Sequence, residues 1–183
     1  MTTDTQYASV RRTADRAAVL AVLTDAFARD PVVRWLFPDP ADRARRQERF
    51  HADVLDHPAA EAYLAGQGGG AAVWLTLAAG QSPYGDPDGA GGRLGALGAA
   101  LAARHPADVP HRYLACMGVR GARQGGGLGS ALLRHGLAHT GTAAYLEASS
   151  PRSRALYRRH GFADLGAPVR VGGGPPLWPM WRP

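Results

Sequence analysis

The segment Met117-Gly118-Val119-Arg120-Gly121-Ala122-Arg123-Gln124-Gly125-Gly126-Gly127-Leu128-Gly129-Ser130 is the most informative stretch of chemistry in this chain. An apolar run ending at Val119 reads as a strand, a loop with almost no side-chain bulk follows, and Leu128 begins a helical pattern. The first turn of a helix carries N–H groups without partners and the positive end of the dipole. Glycine lets a ligand approach that backbone closely, so the arrangement suits a phosphate or pyrophosphate. The bland alternative is a flexible loop, which would lack the donors that the helix behind this one supplies. A P-loop is excluded because it needs a lysine and the chain has none. The dinucleotide fingerprint is imitated by Gly125, Gly127 and Ser130, with Glu147 about 20 residues further on. That fingerprint turns directly off its strand, however, whereas five residues separate Val119 from Gly125 here, and over half the chain precedes the motif.

The single cysteine, Cys116, cannot form an internal disulfide. As a thiol it could carry an acyl group, but its alternating neighbours are apolar and point to a small core residue. No Cys/His group has metal-ligand spacing, so no metal is expected. Ser150 directly before Pro151 has the form of a helix N-cap. The arginines from Arg152 to Arg159 read mainly as a solvated helix face.

The elements that must position these residues are legible in outline. Tyr7 to Arg12 predicts a short strand, with Thr13 as the N-cap of the helix that follows. Val19, Val22, Leu23 and Ala26 recur at helical spacing and predict an amphipathic helix over 14–28, ended by Asp30-Pro31. An apolar, aromatic stretch from Val32 to Phe37 comes next, then Pro38-Asp39-Pro40 and an Arg-rich helix from about Ala41 to Asp56. Strands are predicted at Glu61 to Ala65 and Ala71 to Leu77, joined by a Gly-rich turn. Ala79 to Gly92 is a loop and Arg93 to Arg104 a helix. His111 to Val119 is apolar on both faces, as a covered central strand is. Leu128 to about His139 is a helix, Ala143 to Ala148 a strand, and Ser150-Pro151 opens a helix that Gly161 closes. Phe162 to Leu165 and Leu177 to Arg182 are short strand candidates. With no internal repeat and no linker, residues 1–183 form one domain of α/β (α+β) class.

Gln124-x-x-Gly127-x-Gly129 after a strand ending in Val resembles the acetyl-CoA signature of the GNAT N-acetyltransferase superfamily. Leu156-Tyr157-Arg158-Arg159-His160-Gly161-Phe162 resembles its second signature, and Leu146 to Ser153 precedes it as in many antibiotic-modifying members. The resemblance runs from about Tyr7 to the C-terminus, because the order of elements is the family's order. Val73-Trp74-Leu75-Thr76, Tyr113 to Val119 and Gly174-Pro175-Pro176-Leu177-Trp178-Pro179-Met180 are most similar to the family's puromycin N-acetyltransferase branch. The resemblance implies the GNAT fold, a central mixed, mostly antiparallel sheet of about seven strands flanked by helices. It implies acetyl-CoA as co-substrate, with backbone groups of Met117, Gly118 and Val119 holding the pantetheine arm where two strands splay. The N–H groups of Gln124, Gly125, Gly127, Leu128, Gly129 and Ser130 would hold the pyrophosphate, and Arg152 the 3′-phosphate.

By the same resemblance Tyr157 is the acid that protonates the departing thiolate; a core aromatic is its structural alternative. Ser150 stands where relatives often carry an Asn that contacts CoA, in a chain without any Asn. Trp35, Phe37, Trp74 and Tyr113 are expected to line an acceptor pocket, though each would also suit a core. Attack on a thioester needs a neutral amine, so some group must take a proton. The chain has three glutamates, Glu48, Glu61 and Glu147. Glu147, near the C-terminal end of a central strand, is the first candidate for that base, and His111 and Asp30 are the others. The reading that follows is acetyl transfer from acetyl-CoA to a primary amine of a small molecule, an antibiotic or a biosynthetic intermediate, by direct attack in a ternary complex. The alternatives are a protein or peptide N-acetyltransferase and a CoA-binding module without catalysis.

Composition narrows the partners. All 21 basic residues are Arg, Lys, Asn and Ile are absent, and the net charge is +6. The missing residues have A- and U-rich codons, so a GC-rich genome accounts for the arginines as well as any anionic partner does. They are scattered and lack interleaved aromatics, which argues against nucleic acid. Asp4 and Asp15 occupy the region where a secretory signal would be apolar. The uncharged run from Ala62 to Gly85 is continuously apolar only over Ala71 to Ala79, too short to span a bilayer. No membrane association, a cytoplasmic setting and a monomer or homodimer are therefore expected.

Overall fold

The computed structural model describes residues 9–84, 91–138 and 141–183. Tyr7 and Ala8 of the first expected strand, residues 85–90 of the loop after Ala79, and His139 at an expected helix end lie outside the described residues. Seven strands form one sheet: β1 (Val10–Arg12), β2 (Ala60–Ala65), β3 (Gly70–Leu77), β4 (His111–Val119), β5 (Ala144–Ala148), β6 (Ala163–Asp164) and β7 (Trp178–Arg182). Their order is β1-β2-β3-β4-β5-β7-β6, antiparallel at every pairing except β4 beside β5. The helices are α1 (Arg16–Phe27), α2 (Pro31–Leu36), α3 (Pro40–Leu55), α4 (Gly92–Ala102), α5 (Leu128–Ala138) and α6 (Pro151–Arg159). A mixed, mostly antiparallel seven-stranded sheet flanked by helices is the architecture that the resemblance implies.

Short polar side chains start the helices where the chain leaves a strand or turn. Asp15, not Thr13, caps α1, by accepting from the Ala18 N–H at 3.0 Å. Thr13 is still tied to the sheet through its N–H to the Ala62 carbonyl, and its hydroxyl accepts from Asp15. The apolar stretch after Asp30-Pro31 is itself a helix, because Asp30 caps it and proline fits its first turn. Asp39 and Pro40 do the same for α3. Gly161, just beyond the end of α6, takes φ 87°, a left-handed conformation that glycine adopts without strain.

The two faces of the sheet carry separate cores. Val19, Val22 and Leu23 of α1 pack with Ala71, Val73 and Cys116 on one face. Leu128, Leu132 and Leu133 of α5 pack with Ala72, Trp74 and Leu114 on the other. Trp74, expected at an acceptor pocket, is thus placed in the core under α5, fully buried, with its indole so close to Gly136 that a β-carbon there would sit 2.4 Å away. The register between β3 and β4 slips at Val73/Trp74, which pair with Cys116 and Leu114 and leave Ala115 as an extra residue. This bulge reverses the alternation of β4. Tyr113 and Cys116, an odd number apart, consequently face the same side.

Candidate active site

The parallel pairing of β4 with β5 covers only Arg112↔Ala144 and Tyr113↔Tyr145. Beyond it the strands part, while β4 continues to Val119 beside β3 and β5 continues to Ala148 beside β7. A cavity of about 560 Å³ lies over this gap, bounded by α2, α3 and α4 and by Tyr113 to Met117 of β4. Tyr157 belongs to the core on the α5 side, yet it lines this cavity together with Cys116 and Asp30 from the other side of the sheet. Its side chain therefore reaches into the gap between the strands.

Glu147 of β5 also lines the cavity. Tyr84 donates a hydrogen bond to its Oε1, and Tyr113 donates to Oε2 at 2.7 Å. Burial pushes the Glu147 carboxyl above its ordinary range, and the phenol hydrogen bonds pull it partly back. Burial above all raises both tyrosines, with the Glu147 charge among the further causes, so they remain protonated donors. The other two glutamates are placed elsewhere. Glu61 is held by Arg112 at 2.7 Å and by Arg12 at 3.2 Å, and Glu48 is exposed on α3. Asp30, besides capping α2, accepts from the Ser149 hydroxyl at 2.9 Å and lines the cavity. Burial raises its carboxyl against three hydrogen bonds that lower it.

Burial likewise raises the Tyr157 hydroxyl, with Cys116 and Asp30 adding to the effect, so the phenol keeps its proton across the neutral range. Cys116 is buried and its thiol is pushed up to about 12. At pH 7 its thiolate is only about one part in 10⁵, which disfavours a covalent acyl carrier. His111, at the start of β4, is buried and does not line the cavity.

The glycine loop leaves the same end of β4. A 3₁₀ turn over Gly121–Arg123 follows Val119, and Gly125 and Gly127 take φ 84° and 81°. The first backbone bond of α5 runs from the Ala131 N–H to the Gly127 carbonyl at 2.9 Å. The N–H groups of Leu128, Gly129 and Ser130 therefore precede any intrahelical acceptor, which is the donor array an anionic group needs. Gln124 donates to the Val119 carbonyl at 3.1 Å and accepts from Arg152 at 3.1 Å, so Arg152 stands beside the loop. Gly118 has a packing role as well: a β-carbon there would lie 2.6 Å from that of Ala26. Ser150 caps α6 in a reciprocal box with Ser153.

Met117, Phe37 and Tyr113 line the cavity as well. Trp35 does not; it packs from α2 against Gly172 and Gly174, with Arg93 over its ring. Four carboxylates, Asp30, Asp53, Asp56 and Glu147, line the cavity, and no arginine does among the described residues. Several lining residues carry little signal in the sequence, Asp53 and Asp56 on the Arg-rich α3 and its end among them. Tyr84 was signalled only as a lone aromatic in a Gly/Pro/Asp loop, and Ser149 only as the neighbour of a cap. His51, an imidazole on the inner face of α3, is buried and lowered to about 4, hence neutral.

Residues 34–162 match the family model for the acetyltransferase (GNAT) family. A solved structure from Corynebacterium glutamicum, described as histone acetyltransferase HPA2 and related acetyltransferase, is 32% identical over 96% of both chains, with a TM-score of 0.71. An agmatine N-acetyltransferase is 15% identical over 95% of this chain and 98% of its own, with a TM-score of 0.64. A ribosomal-protein alanine N-acetyltransferase of Escherichia coli is 19% identical over 96% and 93%, with a TM-score of 0.58. The latter two likenesses are of fold.

Proposed function

Because the chain belongs to the acetyltransferase (GNAT) family, whose co-substrate is acetyl-CoA, we propose that it acetylates a primary amine on a small molecule with a cationic head and an apolar, partly aromatic body. The observation that carries this reading is a single cavity holding Glu147 and Tyr157 at a strand gap, lined by carboxylates and by Phe37 and Tyr113 but by no arginine among the described residues. Asp53 and Asp56 are paired with Arg49 and Arg16, so the lining acids left to face a cation are Glu147 and Asp30. Likeness to the puromycin N-acetyltransferase branch in Tyr113 to Val119 and in the C-terminal tail supports an aromatic amine, for example an aminonucleoside.

Each residue then has a task. The N–H groups from Gln124 to Ser130 bind the pyrophosphate, with Arg152 at the outer phosphate and Ser150 beside the pantetheine. The edge of β4 at Met117 to Val119, unpaired where β5 diverges, offers backbone groups to the arm, and an N–H near Val119 steadies the carbonyl oxygen as it gains charge. Glu147 takes the proton of the ammonium, whose nitrogen attacks the thioester carbon, and Tyr157 gives its proton to the departing sulfur. A peptide amine is the second reading, supported by the description of the Corynebacterium relative. Coupled CoA release with purified protein tests both, using phenethylamine, tyramine, tryptamine, agmatine, puromycin and a peptide with a free N-terminus. Saturable turnover with an aromatic amine is expected. Turnover with the peptide alone would select the second reading, and acetyl-CoA binding without turnover would favour a non-catalytic module.

A further inference from the structure

The cavity lining holds one polar side chain for which neither the fold nor the reaction above has a use. Asp53 and Asp56 are paired with arginines, and Asp30 and Glu147 accept from Ser149 and from the phenols of Tyr84 and Tyr113. His57 accepts the Ala59 N–H through Nδ1 at 3.1 Å, and Ser153 is closed into its box with Ser150. Tyr157 has its place in the transfer. Among the described residues, His51 alone lines the cavity with a buried side-chain nitrogen that has no partner.

His51 is 2% exposed, and its aromatic neighbours are Phe27 and Phe50, with ring centroids 5.5 and 5.6 Å away. Nδ1 is sealed from solvent without a hydrogen-bond partner. Nε2 has no partner among the described residues either, but it is not sealed, and the cavity that the ring lines is the space it opens to. Burial alone lowers the imidazole to about 4, so the ring is neutral at pH 7, with one donor and one acceptor nitrogen. Buried polar groups are nearly always paired, and a phenyl ring in this place would pack on Phe27 and Phe50 without an unpaired nitrogen. A partner from outside the chain is what such an imidazole lacks. That partner is not the reacting ammonium, which must lie at the β4–β5 gap with Glu147, whereas His51 stands on α3. A hydroxyl fits best: it both donates and accepts, so it meets either tautomer of a neutral ring.

We propose that His51 is a specificity residue whose Nε2 hydrogen-bonds a hydroxyl on the body of the acceptor, so that hydroxylated aromatic amines are selected over their hydrocarbon counterparts. The inference deepens the reading of this cavity as the amine pocket and rests on it. A site with a buried polar group rejects an analogue that lacks the matching group, because its own group then stays unpaired. The selection acts through binding of the acceptor's body, away from the atoms that react, so Glu147 and Tyr157 keep their tasks.

The test uses phenethylamine and its 3-hydroxy and 4-hydroxy forms, which differ from it by one hydroxyl, with wild type, His51→Phe and His51→Leu. Calorimetry with CoA bound gives a Kd for each amine, and CoA release from acetyl-CoA gives kcat/KM. In the wild type at least one hydroxylated amine is expected to exceed phenethylamine by about 10-fold in both quantities. In each variant that ratio should fall to about 2-fold or less. His51→Phe is expected to melt no lower than wild type, since it removes an unpaired buried nitrogen; melting curves identify a variant that has not folded, and the other then reads the ratio. A binding preference that is lost in the variants, with no turnover of any amine, would leave His51 its role and remove the transfer proposed above. Turnover without a preference in the wild type, as when water alone meets the ring, would overturn the inference while that transfer stands. A preference that survives both variants would overturn it equally, and so would binding of none of the three amines.

Discussion

Tyr157 and Glu147 both line the cavity at the gap between β4 and β5, and burial raises the pKa of each. Tyr157→Phe removes only a hydroxyl from a packed ring, so the melting temperature and acetyl-CoA affinity should hold while kcat falls about 10²-fold or more. A parallel loss of thermal stability would return Tyr157 to the core. For Glu147 the sign follows from its raised folded pKa. As base it must be ionised, so activity should fall as pH drops through a value above the ordinary glutamate range, and Glu147→Gln should abolish that limb. The folded state binds the proton more tightly than the unfolded one, so Glu147 favours folding at low pH and costs stability as pH rises through its folded pKa. Glu147→Gln should therefore melt higher than wild type at pH 7.5, with the difference shrinking toward pH 4. Glu147 was legible because the chain has three glutamates and one of them ends a central strand. Its partner Tyr84 was not, since 63 residues separate the two and only the folded loop brings them together.

At the scale of elements, the loop from Gln124 and the start of α5 behind it present the N–H groups proposed to bind the pyrophosphate. Gly127→Ala forces a β-carbon into φ 81° at a cost of about 1–2 kcal/mol, in a loop that packs on little else. The expected result is weaker acetyl-CoA binding by calorimetry with a small loss of stability; unchanged affinity would remove the loop from the site. Ser150→Ala breaks the box with Ser153 and should lower the melting temperature by about 2–4 °C, for the loss of about 1 kcal/mol. Periodicity and caps gave the order of strands and helices to within a few residues. The bulge at Ala115 and the divergence of β5 after Tyr145 carry no local signature, because they arise from pairing between distant segments. Phe37 and Tyr113 line the cavity, whereas Trp74, equally aromatic, turns to the other face of the sheet, and no local pattern distinguishes the three.

Across the whole molecule, separate cores pack on the two faces of the sheet. Gly136→Ala would drive a methyl into the Trp74 indole, 2.4 Å away, and overpacking of this kind costs roughly 1–3 kcal/mol. The melting temperature should fall by several degrees while KM for acetyl-CoA stays near wild type, since α5 contacts Trp74 away from the cavity. The charge of the molecule divides in the same way. Its arginines leave the cavity lining, among the described residues, to carboxylates and aromatics, which total charge alone could not foretell. The most direct test of the account is the rate of CoA release by wild-type protein and Glu147→Gln with an aromatic primary amine at saturating acetyl-CoA. Saturable turnover in the wild type, lost about 10²-fold in the variant while acetyl-CoA still binds both, is the result expected. Equal rates in the two proteins, or no release with any amine despite acetyl-CoA binding, would contradict it.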